Sequence, residues 1–287
     1  MVIGDLLEDI VVRAGTGPLR HATDNPATII RRRGGSGANV AAGAASAVPT
    51  RFIGRVGDDA LGRGLVLDLA ATGVEMRVQV EGRTGSVVVL VDGSGERTMF
   101  PDRAAAAELG TIEDSWLEGA GLVHTPAYGL FDPPMAAAVR GAVATARRHG
   151  ARWSVDLSAA SLIDRIGVDR FVADLTALSP DIVVANADEA RCLGDVVARI
   201  APVVVIKRGP EPAEVWVAGE RDEVAVDEVL EVSDSTGAGD GFAAGFLAAM
   251  LAAVSMPMAM EQVCDAVCAG HHSAAAVLVG RDDEIRS

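Results

Sequence analysis

Short runs of branched apolar residues alternate with stretches whose apolar positions recur every three or four residues, and this alternation holds through most of the chain. The runs at 50–54, 121–125, 152–156, 181–185 and 203–207 predict strands buried on both faces. Leu61, Leu65 and Leu69 are spaced by four, as are Met135, Val139 and Val143, so each set forms one apolar stripe on an amphipathic helix. Strands alternating with helices imply a parallel sheet covered on both faces. Two stretches, approximately 10–33 and 78–101, break the rhythm: they are strand-like, carry Gly and Pro turns and have no helical period. Within the second, 87–91, the turn 92–95 and 97–100 read as a hairpin. The pattern therefore predicts an α/β fold with a doubly wound, mostly parallel sheet flanked by helices and a small β-sheet lid, forming a single domain over 1–287. A lid that excludes water suits a site that must keep an activated donor from hydrolysis.

One segment carries most of the chemistry. Residues 234–240 read Asp-Ser-Thr-Gly-Ala-Gly-Asp and run straight into an apolar, Ala-rich stretch. Gly237 and Gly239 let the backbone turn with its amides inward. The helix that follows offers unpaired N–H groups and a positive dipole end to an anion. Asp240 sits at the edge of that anion hole. A carboxylate beside phosphate is repulsive unless it has chemical work, and accepting the proton of an attacking alcohol is such work. The plainer reading is an N-cap Asp after a Gly turn.

A second glycine cluster, Gly34-Gly35-Ser36-Gly37-Ala38-Asn39, allows a ligand to approach the backbone and offers the Asn39 amide to hydroxyls. A dinucleotide fingerprint would need Gly or Ala where Val40 stands. Asn186-Ala187-Asp188-Glu189 follows a strand directly, where oxygen ligands could hold magnesium through water; a helix cap would read the same way. His271-His272 lie late in the chain, where packing and a nucleotide edge are both open.

Composition narrows the classes. A net charge of −15 argues against nucleic acid. The basic residues are 24 Arg and a single Lys, Lys207, so the chain has no Gly-Lys-Ser/Thr phosphate loop. Cys192, Cys264 and Cys268 are too few for a disulfide framework and lack metal spacing with His. A cytoplasmic protein without a membrane span is expected. Residues 241–260 hold no charge, but Pro257 interrupts them and they begin at the proposed base.

In this order along the chain the sequence resembles the ribokinase-like, or phosphofructokinase-B type, carbohydrate kinases. The likeness is carried by Gly4-Asp5 and Asp9, 34–41, the run Ile53-Gly54-Arg55-Val56-Gly57-Asp58-Asp59, Gly95-Glu96-Arg97-Thr98, 186–189 and, most specifically, 234–240. The resemblance implies ATP and Mg²⁺ as cofactors and transfer of the γ-phosphoryl group to a small-molecule hydroxyl. It makes Asp240 the base and Thr236, Gly237, Ala238 and Gly239 the anion hole, with Thr236 on the cofactor side. Asp9, Gly35 and Asn39 then match substrate-binding positions, and Asn186 and Glu189 the magnesium motif. Lys207 and Gly209, leading into the nucleotide loop, and His272 fall on the cofactor side, and a homodimer joined through the lid is expected.

Departures sharpen the reading. Pro212 stands where the nucleotide loop usually has a second glycine, and Asp282-Asp283-Glu284 replaces the usual C-terminal turn, so potassium activation is not expected. The stretch Asp156-Leu157-Ser158-Ala159-Ala160 lacks the Arg that meets an acid sugar, and residues 1–110 contain only Phe52 and Phe100 as aromatics to stack a base. A neutral sugar is the expected acceptor. Arg97 and Arg103 leave a sugar phosphate open, and the competing classes are a nucleoside kinase of the same fold and a non-catalytic sugar or nucleotide sensor.

Overall fold

The structure is a computed structural model that describes residues 1–14, 20–91, 97–226, 237–252 and 258–286. Its strands are β1 (Val2–Ile3), β2 (Leu7–Ala14), β3 (Ala27–Gly34), β4 (Arg51–Val56), β5 (Glu75–Val80), β6 (Ser86–Val91), β7 (Arg97–Asp102), β8 (Leu122–Pro126), β9 (Arg152–Asp156), β10 (Ile182–Asn186), β11 (Val203–Arg208), β12 (Glu211–Val217) and β13 (Glu220–Val224). The helices are α1 (Ser36–Ala45), α2 (Ala60–Ala71), α3 (Met135–Arg148), α4 (Ala160–Ile166), α5 (Val168–Leu178), α6 (Ala187–Leu193), α7 (Ala238–Ala252) and α8 (Met260–Arg286).

Nine strands form one sheet in the order β13-β12-β11-β10-β9-β8-β1-β4-β5. From β11 to β5 every pairing is parallel, and β12 and β13 extend it as an antiparallel edge. Side chains of a strand alternate between faces, and here both faces are core. Val2, Phe52, Ile182, Val184, Val203 and Val205 pack with α1, α2, α7 and α8. Ile3, Ile53, Val183, Ala185, Val204 and Ile206 pack with α3 to α6. The two stripes expected from the sequence divide accordingly: Leu65 and Leu69 join the first layer, and Met135, Val139 and Val143 the second.

The second sheet, β3-β2-β6-β7, stands apart. Leu7, Val11, Val87 and Val89 form its own small core. Its bounds differ from those expected. The first excursion begins at Leu7, not at 10, and Val78–Val80 belong to the large sheet, where Gly54, Arg55 and Val56 of β4 pair with them in parallel. An edge strand open on one side carries polar positions, so β5 reads like the lid strand that follows it. The expected turn at 92–95 lies outside the described residues, but β6 and β7 pair antiparallel as the hairpin reading requires.

Met260–Gly280 of α8 is long and apolar enough to cross a bilayer by length and composition. In the fold it lies along α7, and small residues set the approach. A Cβ on Gly245 would overlap Ser273 Oγ and the Ala269 carbonyl, and one on Gly270 would come within 2.9 Å of the Phe242 ring. We expect Gly245→Ala to lower unfolding free energy by about 1–3 kcal/mol, because two helices must separate. Gly64→Ala, on an exposed turn of α2 with nothing within 4 Å of the added carbon, should instead raise it by about 0.5–1 kcal/mol. Urea unfolding of both variants checks the pair, and equal effects would refute the packing account.

Candidate active site

A cavity of about 690 Å³ opens between the carboxyl ends of the parallel strands and the small sheet. This is the crevice where a doubly wound sheet places ligands: β4 and β5 run to one side of β1, and β8 onward to the other. Each element delivers its residues by ending there. Gly4 and Asp5 leave β1, Asp9 comes from β2, and Gly35, Ser36 and Asn39 open α1. Asp156 ends β9, Asn186 ends β10 and Glu189 lies in the first turn of α6, Lys207 lies near the end of β11, and Gly237 precedes α7, whose first turn carries Gly239 and Asp240. Arg97 and Arg103 approach from the lid side.

Most of the residues singled out in the sequence are thus brought together. Ala238 is the first residue of α7, between the two lining glycines. Two expected cofactor residues are not in the cavity wall. Gly209 has φ 63° in the tight turn joining β11 to β12, where its freedom serves the antiparallel reversal. His272 is exposed on α8, because it is His271 that turns toward α7, with its ring 5.2 Å from that of Phe242. Thr236, with Asp234 and Ser235 of the same motif, lies outside the described residues, as do the side chains of Asp282 to Glu284.

Asp240 is held from a different helix. Ser36 Oγ donates to its Oδ1 at 2.7 Å, and Asn39 Nδ2 donates to its Oδ2 at 2.9 Å. The Asn39 amide nitrogen, expected on a substrate hydroxyl, therefore serves the carboxylate. Loss of hydration in the cleft pushes the Asp240 pKa up to about 6, against the pull of the two donors. A carboxyl so placed is ionised at neutral pH and still basic enough to take a proton. Gly237 has φ 82°, a conformation that a side chain would resist, and its carbonyl accepts the Gly241 N–H at 2.8 Å to start the helix.

Asn186 and Glu189 form a complete capping box. Asn186 Oδ1 accepts the backbone N–H of Asp188 and of Glu189, and Glu189 accepts the Asn186 N–H at 2.8 Å and its Nδ2 at 2.7 Å. The cap and the cavity-facing position coexist. Glu189 is buried, and that burial, with the charge of Asp156 beside it, raises its pKa to about 7. Next to it, Lys207 Nζ donates to Asp156 Oδ2 at 2.8 Å. Burial works against both charges, but their mutual attraction holds Asp156 below and Lys207 above the ordinary values. Among the described residues no group of three or more His, Cys, Asp or Glu is set to hold a metal directly. Of the two residues expected on magnesium, Asn186 has its side chain engaged in the cap, and Glu189, a carboxyl group lining the cavity, fits an ion that keeps most of its water shell.

Sequence reasoning missed three participants. Asp5 accepts both Nε and Nη2 of Arg103, at 2.6 and 2.7 Å, so a cation offered to a substrate phosphate is already engaged. Tyr128 lines the wall from the turn after β8, and Arg103 lies 5.9 Å from its ring centre. Ser36 carried a usable signal: it is three residues before Asn39, hence on the same helix face. For Asp5 and Arg103 no local pattern exists, since 98 residues separate them.

The sequence profile of the pfkB family carbohydrate kinases matches residues 1–282. A fructokinase of Klebsiella pneumoniae is 30% identical over 261 residues, covering 85% of this chain and 81% of that protein. Among solved structures, an adenosine kinase from Sinorhizobium meliloti superposes with a TM-score of 0.82 at 27% identity, over 96% of this chain and 92% of that one. A probable sugar kinase protein from Rhizobium etli CFN 42 gives 0.83 at 27% identity, with the same coverages. The chain belongs to the pfkB family of carbohydrate kinases. It is a phosphotransferase acting on a hydroxyl group, a sugar or nucleoside kinase by class, and family membership implies ATP as donor.

The Asp240 environment makes a pH prediction. A base must be ionised, so kcat/KM should fall as pH drops through about 6 and Asp240 binds a proton. Ser36→Ala removes a donor that favours the charged form, which raises the Asp240 pKa and moves this acid limb upward. One net hydrogen bond of ~1 kcal/mol corresponds to roughly 0.7 pH unit. A limb that stays in place in the variant would contradict the assignment.

Proposed function

We propose that the protein phosphorylates a small neutral sugar with ATP, with Asp240 as the base. The observation that carries this reading is a carboxylate fixed by Ser36 and Asn39 at the first turn of α7, beside the glycine backbone at Gly237 and Gly239. The acceptor hydroxyl lies against Asp240, and the γ-phosphoryl group lies against the amides of the turn. As the hydroxyl oxygen bonds to phosphorus, its proton passes to Asp240, and the bond to the β-phosphate oxygen breaks with its electron pair left on ADP. Magnesium, held through water beside Glu189, would neutralise phosphate charge. Asp9 and Gly35 line the same cavity, on the side where we place the acceptor. The carboxylate of Asp9 packs directly on Gly34, where any Cβ would overlap it.

The acceptor's character follows from what lines the wall. Asp5 neutralises Arg103, so a second phosphate on the substrate gains little there. Tyr128 is the one aromatic among the described lining residues, a poor base platform on its own. The fructokinase relatives favour a ketose, while the adenosine kinase superposition keeps a nucleoside as the second reading. The outer face of the small sheet presents Ile10, Val88, Leu90 and Phe100, opposite in register to the lining residues Asp9, Val87 and Val89. This is the face through which we place a homodimer, in a cytoplasmic enzyme.

ADP release measured with D-fructose, D-ribose, fructose 6-phosphate, a 2-keto-3-deoxy sugar acid and adenosine tests the choice. We expect kcat/KM for a neutral sugar to exceed that for every charged sugar and for adenosine by at least ~10-fold, or ~1.4 kcal/mol. Adenosine as the best acceptor would overturn the sugar reading and leave the kinase class standing.

A further inference from the structure

Beneath the glycine turn lies a pair of charges that the scheme above leaves without a task. Val203, Val205 and Lys207 share one face of β11, and the first two are buried in the layer beneath α7 and α8. Lys207 continues that line to the cavity wall. Its ammonium rests 3.4 Å from the place where a Cβ on Gly239 would stand, so it abuts the backbone of the first turn of α7. The carboxylates whose charge it feels are Asp156, Glu189 and Asp240. It therefore stands among the base, the magnesium-side carboxyl group and the turn.

As a stabilising device the pair makes little sense. Lys207 and Asp156 are only 16% and 13% exposed, and desolvating two ions offsets most of their attraction. An apolar residue in place of Lys207, like Val205 two positions earlier on β11, would hold the sheet as well. What an ammonium adds here is a mobile positive charge on a flexible stem, with three donors that can change partner without losing the proton.

We propose that Lys207 is a catalytic residue of the phosphoryl transfer: paired with Asp156 in the free protein, its ammonium turns to the γ-phosphoryl oxygens when ATP is bound. This rests on the kinase reading of the same cavity. Asp156 is then a positioning residue that holds the ammonium until the phosphate arrives. Bond changes are those of the transfer already described, with the acceptor's proton going to Asp240. Lys207 keeps its own proton throughout and stabilises the charge gathering on the moving group. Preorganised donors of this kind are worth about 10²–10³ in kcat.

Because Lys207 is the only lysine, its ammonium can be watched alone. In protein labelled with ¹⁵N-lysine, the side-chain Nζ signal should move when a methylene-bridged ATP analogue is added with Mg²⁺, and stay close to its free position with Mg²⁺ and ADP. Lys207→Met should lower kcat by about 10²-fold with KM for ATP and for the acceptor within threefold, and Lys207→Arg should recover part of the loss. The same Nζ position with the ATP analogue and with ADP would overturn the proposal, as would a folded Lys207→Met protein with kcat within threefold of wild type. Should that variant not fold, the Nζ measurement on the wild-type protein decides alone. A wild-type protein that binds neither nucleotide would instead remove the kinase reading on which the proposal stands.

Discussion

Two hydrogen bonds, from Ser36 and Asn39 to the two oxygens of Asp240, tie the first turn of α1 to the first turn of α7 across some two hundred residues of chain. The rest of the site is arranged around that tie. It fixes the carboxylate at the carboxyl edge of the sheet and sets its basicity. It also needs the two helices to lie close, which small residues permit: a Cβ on Gly43 of α1 would come within 2.7 Å of the Ala244 side chain on α7. Behind α7, Gly241, Gly245 and Gly270 let α8 pack closely against the same helix. Packing therefore determines where the Asp240 carboxylate stands, and hydrogen bonding helps to determine when it is charged.

Electrostatics in the cavity is unbalanced by design of the sequence. Asp5, Asp9, Asp156, Glu189 and Asp240 line it, against Arg97, Arg103 and Lys207. Within the wall Arg103 is engaged by Asp5 and Lys207 by Asp156. The upward shifts of Asp240 and Glu189 record the cost of crowding acids in a place with little water. In the proposed scheme a hydrated divalent cation would relieve that cost. The proposed phosphate position faces backbone amides and a helix N-terminus, which carry no counter-charge that would first have to be removed.

How much of this could be read beforehand depends on the range of the interaction. Strands β8 to β11 follow local periodicity and appear within a residue or two of the expected limits, and the stripe of Met135, Val139 and Val143 lies on α3. Gly237, Gly239 and Asp240 could be singled out together because they stand in one contiguous motif, and all three line the cavity. Strand β5 was misread in part, since the alternation of an edge strand in the large sheet is the same as that of a lid strand. The antiparallel β12 and β13 left no mark distinct from a loop between helices. Partners across the sheet were invisible for another reason: that Asn39 serves Asp240, that Asp5 grips Arg103 and that Lys207 pairs with Asp156 depends on which strand ends meet. His271 and His272 were equivalent in sequence, and only the rotation of α8 separates them.

The central claim, that Asp240 removes the proton of the acceptor hydroxyl, is tested most directly by Asp240→Asn, which keeps the size and the partners of the side chain while removing its basicity. The account predicts a fall in kcat of at least ~10²-fold, the usual worth of general base catalysis, with ATP affinity by calorimetry within about threefold of wild type. A variant that turns over within a few-fold of wild type would contradict it.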